Sequence, residues 1–264
     1  MAIGLRIRLS RILKDGKMLC IPMDHGITNG PISGIKNTHE TVYNCENSGL
    51  TSVIINKGII KSFPRPPSVG IICHLSGSTS LGMAPNKKVL MGTVEEAIRL
   101  GADAVSVHIN VGGKEEPEML QQLGMMAEGC GEWNMPLIAM MYPRGENISN
   151  PNDPEIVAHA ARIGAEAGAD IVKTVYTGDS DTFKQVVKGC PVPIVIAGGP
   201  KANTDQEILD MCAGAMDSGA IGTTFGRNIF QHNNPPLILK ALARIIFEGE
   251  KPSVVIRSLV RTKK

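Results

Sequence analysis

A single lysine interrupts one apolar strand of this chain. The run Ala169-Asp170-Ile171-Val172-Lys173-Thr174-Val175-Tyr176-Thr177-Gly178 reads as a short strand held between turns at Gly168 and Gly178. Lysine is almost never fully buried unless it is paired or used. Side chains alternate along a strand, so Ile171, Lys173 and Val175 share one face. If that face lines a closed barrel, the amine points into the mouth, where partial desolvation makes it shed its proton more readily. A neutral amine is what Schiff-base chemistry requires. On this stretch alone, a lysine that merely reaches for solvent at a strand exit stays open.

Other polar groups close apolar runs in the same way. Asp24-His25-Gly26 follows residues 18–23, and Tyr142-Pro143-Arg144-Gly145 follows residues 136–141. A phenol beside a lysine can relay a proton to and from an alkoxide, and a carboxylate can take the lysine's proton or hold a carbinolamine hydroxyl. The plainer alternatives are a packed rim tyrosine and a turn aspartate capping its own backbone. Gly198-Gly199-Pro200-Lys201 and Gly226-Arg227-Asn228 follow the last two apolar runs. Such loops offer backbone N–H groups to a phosphate, with charge-assisted bonds from Lys201 and Arg227; glycine turns with surface cations are the alternative. His25, His74 and His108 also close strands, which is zinc-ligand chemistry and raises a metal-dependent aldolase as a rival. That rival leaves Lys173 without a role and has no HxH or HExxH pair behind it, so no metal or other cofactor is expected.

Eight apolar runs must position these groups: residues 18–24, 49–55, 70–75, 104–109, 136–141, 169–175, 193–197 and 219–224. Helices are expected between them, over about 37–48, 93–101, 115–132, 153–168, 180–188, from 204, and over 236–247. Asn37-Thr38-His39-Glu40 resembles a capping box, and Asp153-Pro154-Glu155 combines an N-cap with a first-turn proline and acid. Gly101-Ala102-Asp103-Ala104-Val105 and Gly168-Ala169-Asp170-Ile171-Val172 repeat one phrase, a helix stop followed by a strand. Eight such units predict an α/β fold, a (β/α)8 TIM barrel in one domain over 1–264, with the active site at the C-terminal strand ends. Leu5, Leu9, Ile12 and Leu13 form a helical stripe, so the basic first fourteen residues read as a short packed helix and not as a transit peptide.

Composition narrows the function. Twenty-seven basic against 25 acidic residues, with 3% aromatics, make no case for nucleic acid. No apolar run approaches the roughly 20 residues of a membrane span. The six cysteines lie far apart without a CxxC, as buried free thiols of a cytoplasmic protein do.

In combination, Pro22-Met23-Asp24-His25-Gly26, Met141-Tyr142-Pro143-Arg144-Gly145, Asp170-Ile171-Val172-Lys173-Thr174, Ala197-Gly198-Gly199-Pro200-Lys201 and Gly226-Arg227-Asn228-Ile229-Phe230-Gln231 resemble the archaeal-type class I aldolase family over nearly the whole chain. The resemblance implies Lys173 as the Schiff-base lysine, Tyr142 as proton donor and Asp24 as proton acceptor. It implies phosphate binding at Gly198, Gly199, Gly226 and Arg227 with Lys201 nearby, and substrate contacts from His25, Gly26, Ile27, Thr28, Pro143 and Arg144. Residues 24–31, 108–112 and 135–145 look most like the heptulosonate-synthase branch. That branch implies a phosphorylated keto sugar, 6-deoxy-5-ketofructose 1-phosphate, and L-aspartate semialdehyde as substrates. The alternatives are a fructose-bisphosphate aldolase, an aldolase joining dihydroxyacetone phosphate to aspartate semialdehyde, and a non-catalytic sugar-phosphate-binding barrel. Asn29, where the bisphosphate aldolases tend to carry His, favours the synthase branch, and Phe225 stands where smaller aliphatics are expected. Family members form rings of dimers, often decamers, which implies a homo-oligomer.

Overall fold

Left-handed glycines reset the chain from helix to strand at both copies of the repeated phrase. Gly101 and Gly168 sit at φ +80° and +102°, a conformation only glycine adopts without strain. The aspartate two residues on then accepts a backbone N–H at the start of the preceding strand: Asp103 Oδ2 from Ile71 at 3.0 Å, and Asp170 Oδ2 from Leu137 at 2.9 Å. The repeat is thus a strand-to-strand clamp used twice.

The computed structural model describes residues 2–262, so Met1 and residues 263–264 of the expected domain lie outside the described residues. Eight parallel strands close a barrel: β1 (Met18–Pro22), β2 (Ser52–Asn56), β3 (Gly70–His74), β4 (Ala104–Val111), β5 (Leu137–Pro143), β6 (Ile171–Val175), β7 (Ile194–Ala197) and β8 (Gly222–Thr224). Each pairs with its neighbour in sequence, and β8 closes onto β1 with Gly222 opposite Met18. A Cβ on Gly222 would lie 1.8 Å from the Met18 carbonyl oxygen, so the seam closes only around a glycine.

Alternation sorts the strand residues into two cores. Met18, Cys20, Ile54, Ile72, Ala104, Ile138, Met140, Ile171 and Val195 fill the barrel interior, and Ile12 of the helix Ile3–Ile12 plugs it from below with Leu9 and Leu13 packed against it. The residues between them, such as Val53, Val105, Leu137 and Val172, pack outward onto the helices. Each fully buried aliphatic side chain contributes about 1.5–3 kcal/mol, so the interior stack is a stable floor under the mouth.

Helix starts follow the expected chemistry at Thr93, Asp153 and Thr204, whose side chains accept backbone N–H bonds one turn in. The capping box expected at Asn37 does not form: Asn37 instead donates to Glu40 Oε2 at 3.1 Å and the helix Thr38–Cys45 starts without a side-chain cap. A further helix, Pro252–Thr262, follows Pro235–Glu248 and was not anticipated. Between β3 and β4 the chain makes a flap, in which Ser76–Gly77 pairs antiparallel with Val89–Leu90. The flap is tied down by Thr28 Oγ1 donating to the Ser78 carbonyl, Ser80 N–H to the Thr28 carbonyl, and Asn110 Nδ2 to the Asn86 carbonyl, at 3.0, 3.0 and 2.7 Å.

Candidate active site

Alternation along β6 lifts Lys173 to the top of the interior stack. Ile171 lies in the packed interior, and two residues on Lys173 stands beside Met140 of β5 and Val195 of β7, its amine 3.9 Å from Met140 Sδ. Only 4% of Lys173 is exposed. Above it opens a cavity of about 290 Å³ whose walls include Asp24, His25, Thr28, Tyr142, Arg144, Gly198, Gly199, Gly226 and Arg227. Ten of the fourteen expected site residues, Lys173 among them, therefore meet in one place, drawn from the C-terminal ends of β1, β5, β6, β7 and β8.

The remaining four sit elsewhere. Pro143 and Lys201 line the adjoining groove between the loops after β5 and β7. Lys201 is exposed, donates to the Gln231 carbonyl at 2.9 Å and lines that groove beside Gly198, Gly199 and Arg227. Gly26 and Ile27 belong to the short helix His25–Asn29 and face its neighbours, Gly26 towards Ile35 and Ile27 towards Gly77 of the flap. Phe225 lies fully buried beneath Gly198, where a Cβ would come 2.9 Å from Phe225 Cδ1. It shapes the glycine loop from below.

Charge in the cavity departs from expectation in one respect. Burial opposes the ammonium of Lys173, but Tyr142, which also bonds to it, the Asp24 carboxylate and Cys20 favour it, Tyr142 and Cys20 by charge only when ionised, and the net direction is above the ordinary lysine value. The expected lowering is thus overturned: at rest the amine is charged. Burial likewise opposes the Asp24 carboxylate, and His74, His25 and Lys173 hold it below the usual carboxylate range. Burial pushes His74 down to about 4 and His25 downward as well, so near neutrality the ammonium is the cation facing Asp24. The resting ammonium and the Asp24 carboxylate face one another across the cavity floor without direct ion-pair contact, and the ammonium holds the proton that carbinolamine dehydration consumes.

Several of the buried polar atoms without a hydrogen-bond partner belong to this cavity: Asp24 Oδ1 and His25 Nδ1, which face each other at 3.8 Å, and Arg227 Nε. Each costs about 1–3 kcal/mol when left so, which is tolerated where a ligand supplies the partner. Arg227 Nη2 is meanwhile fixed on the Gly199 carbonyl at 3.0 Å, and Asn228 Nδ2 on the Gly198 carbonyl at 2.9 Å, so both glycine loops are braced as one cradle. Tyr142 is held edge-on by His108, ring centroids 4.8 Å apart, and His108 is bonded to Asn110 Oδ1 at 2.8 Å.

Of two further residues that matter here, one carries no sequence signal and the other takes a role different from the one its position suggests. Lys88 reaches the cavity from the flap, and nothing in its local pattern signals that. His74 closes β3 and was weighed only as a metal ligand; its Nε2 lies 3.8 Å from Asp24 Oδ2 and its Nδ1 2.9 Å from Ser106 Oγ. Among the described residues no group of three or more His, Cys, Asp or Glu is arranged to hold a metal ion.

Comparison with known proteins agrees with this geometry. The profile described as DeoC/LacD family aldolase matches residues 18–232. A 2-amino-3,7-dideoxy-D-threo-hept-6-ulosonate synthase of Archaeoglobus fulgidus is 43% identical, covering 92% of this chain and 91% of its own. A 2-amino-4,5-dihydroxy-6-oxo-7-(phosphonooxy)heptanoate synthase of Streptomyces griseus is 38% identical, covering 87% and 85%. The solved structure of an archaeal fructose-1,6-bisphosphate aldolase, with its catalytic lysine covalently bound to the carbinolamine intermediate, superposes with a TM-score of 0.86 at 34% identity over 92% of this chain and 99% of that one. By sequence and barrel alike, the chain belongs to the DeoC/LacD family of aldolases.

Proposed function

We propose that this enzyme is a Schiff-base aldolase of transaldolase type that makes 2-amino-3,7-dideoxy-D-threo-hept-6-ulosonate, on an alternative route to 3-dehydroquinate and the aromatic amino acids. The observation that carries the reading is the buried ammonium of Lys173 facing Asp24 and Tyr142 on the floor of a cavity walled by a braced glycine cradle. Lys173 passes its proton to Asp24 and adds to the ketone of 6-deoxy-5-ketofructose 1-phosphate. Tyr142 and Asp24 move the protons that turn carbinolamine into iminium and water. The iminium accepts the electron pair of the breaking C–C bond as the neighbouring hydroxyl is deprotonated, and the phosphorylated fragment leaves. The enamine carbon then bonds to the aldehyde carbon of L-aspartate semialdehyde, and water hydrolyses the new iminium. Gly198, Gly199, Gly226 and Arg227 hold the donor phosphate.

The product name of the Archaeoglobus relative supports this choice. The position of the cradle on β7 and β8, directly beside β6, favours a second reading. There the phosphate stays on the lysine-bound fragment, as in joining dihydroxyacetone phosphate to aspartate semialdehyde. Purified enzyme given aspartate semialdehyde separates them: consumption with the keto-sugar phosphate and a phosphate-free product supports the first reading, and a phosphorylated product the second. Turnover with glyceraldehyde phosphate alone, or loss of activity to a chelator, contradicts both. The reading also places the enzyme in the cytoplasm as a homo-oligomer. Free, buried cysteines fit that compartment, and Ile3 and Ile7 on one face of the first helix offer apolar surface to a second copy.

A further inference from the structure

Lys88 has an unusual setting for a lysine on a loop. It is 6% exposed, yet it borders the same cavity as Lys173. Its amine donates to Ser78 Oγ at 2.5 Å and to the Pro85 carbonyl at 3.4 Å, both within the flap, so two donors are used for holding and one remains. Arg144 follows β5 and stands over the Tyr142 ring at 5.8 Å. Among the described residues neither cation has a carboxylate at ion-pair distance. Burial and then the charge of Arg144 disfavour the Lys88 ammonium, and Asp24 offsets this only in part. A buried and an exposed cation thus border one cavity with no carboxylate in ion-pair contact with either, and an anion placed there would gain both charges.

Their place in the barrel says which anion. Around the ring the order is β8, β7, β6, β5, β4, β3. The glycine cradle belongs to β7 and β8, Lys173 to β6, and Arg144 and the flap to β5 and the segment after β3. A substrate joined at Lys173 with its phosphate in the cradle therefore points its other end at Lys88 and Arg144. We propose that Lys88 and Arg144 form a second anion subsite, which binds the carboxylate of the incoming amino-acid aldehyde and fixes its aldehyde carbon against the enamine. This rests on the second form of the function proposed above, in which the phosphate stays in the cradle on the lysine-bound fragment and the enamine carbon faces away from it.

The test uses the intact enzyme and L-homoserine, the unreactive alcohol corresponding to that aldehyde, titrated by calorimetry with the protein saturated in inorganic phosphate. The subsite predicts that homoserine binds the parent and that Lys88→Met and Arg144→Met each weaken it at least 10-fold. Lys88→Arg, which keeps charge and donors, recovers most of the affinity. In kinetics, Lys88→Met raises the KM for aspartate semialdehyde at least 10-fold more than the KM for the phosphorylated ketone donor. Loss of homoserine and phosphate binding in equal measure, with a lowered melting temperature and no effect from Arg144→Met, makes Lys88 a brace for the flap and overturns the proposal. So does phosphate displacing homoserine from the parent, which assigns the subsite to a second phosphate. Homoserine binding without turnover of the aldehyde refutes the functional reading alone, and turnover with an unchanged aldehyde KM in Lys88→Met refutes the subsite alone.

Discussion

Replacing Asp24 by Asn separates two consequences of the charge pair that pull in opposite directions. The substitution keeps shape and removes only the negative charge that faces Lys173. Lys173 is 4% exposed and the Asp24 side chain 18%, so solvent screens the pair weakly. A nearby opposite charge favours the charged form by about 1.4–4 kcal/mol, and Coulomb's law at an effective dielectric near 20 gives about 3 kcal/mol for a separation of about 6 Å. With the carboxylate gone, burial acts against the ammonium with one fewer opposing group, Tyr142 remaining. The pKa of Lys173 falls, and the neutral amine at pH 7 rises by a factor of about 10 to 1000. Carbamoylation by cyanate, which needs a neutral amine and is small enough to enter the cavity, reads this directly when the Lys173 peptide is followed by mass spectrometry from pH 6 to 10. Asp24→Asn should label faster than the parent at pH 7 while its turnover drops about 10²–10⁴-fold for want of a proton acceptor. Labelling at pH 7 that is unchanged or slower than in the parent refutes the charge pair as the resting state.

Tyr142→Phe removes the phenol but keeps the ring against His108; turnover should fall about 10²–10⁴-fold with little change in donor KM, and a comparable rise in KM instead would make Tyr142 a binding residue. Gly198→Ala places a Cβ 2.9 Å from Phe225 Cδ1 and 3.1 Å from Asn228 Nδ2, so the cradle must shift. Loss of one charge-assisted bond of about 1.5–3 kcal/mol raises the phosphate dissociation constant roughly 10- to 150-fold, as calorimetry with inorganic phosphate would read. His74 gives a pH signature: its folded pKa of about 4 lies below the ordinary imidazole value near 6.5, so the unfolded chain binds the extra proton between these values. Stability is complete above about pH 6.5 and drains by about 3 kcal/mol as the pH falls to 4; urea midpoints in His74→Gln should show a flatter acid limb.

The barrel was legible because its signals are local. The twice-used Gly-Ala-Asp phrase marks helix end, turn and strand start in five residues, and the chain order of the strands is also their order around the ring. Lys173 was legible for the same reason, since alternation along one strand decides which way it points. What depended on distant chain was not. Lys201 follows a glycine pair as a phosphate-binding cation would, and its bond to the Gln231 carbonyl, thirty residues on, is a tie that the local stretch does not show. Lys88 lies in a segment without periodicity, and only the anchoring of the flap on Thr28 and Asn110 carries it to the mouth. The sign of the Lys173 pKa depended on three groups from β1, the turn after it and β5, a balance that no single stretch contains. The closing helix Pro252–Thr262 escaped because Pro252, so soon after Gly249, reads as a stop where it is the first residue of a new helix.

The most direct test of the account is to reduce the enzyme with borohydride in the presence of the keto-sugar phosphate and map the adduct by peptide mass spectrometry. The account predicts irreversible inactivation with one covalent adduct per chain, carried by Lys173. An adduct on another lysine, or full activity after reduction, would contradict it.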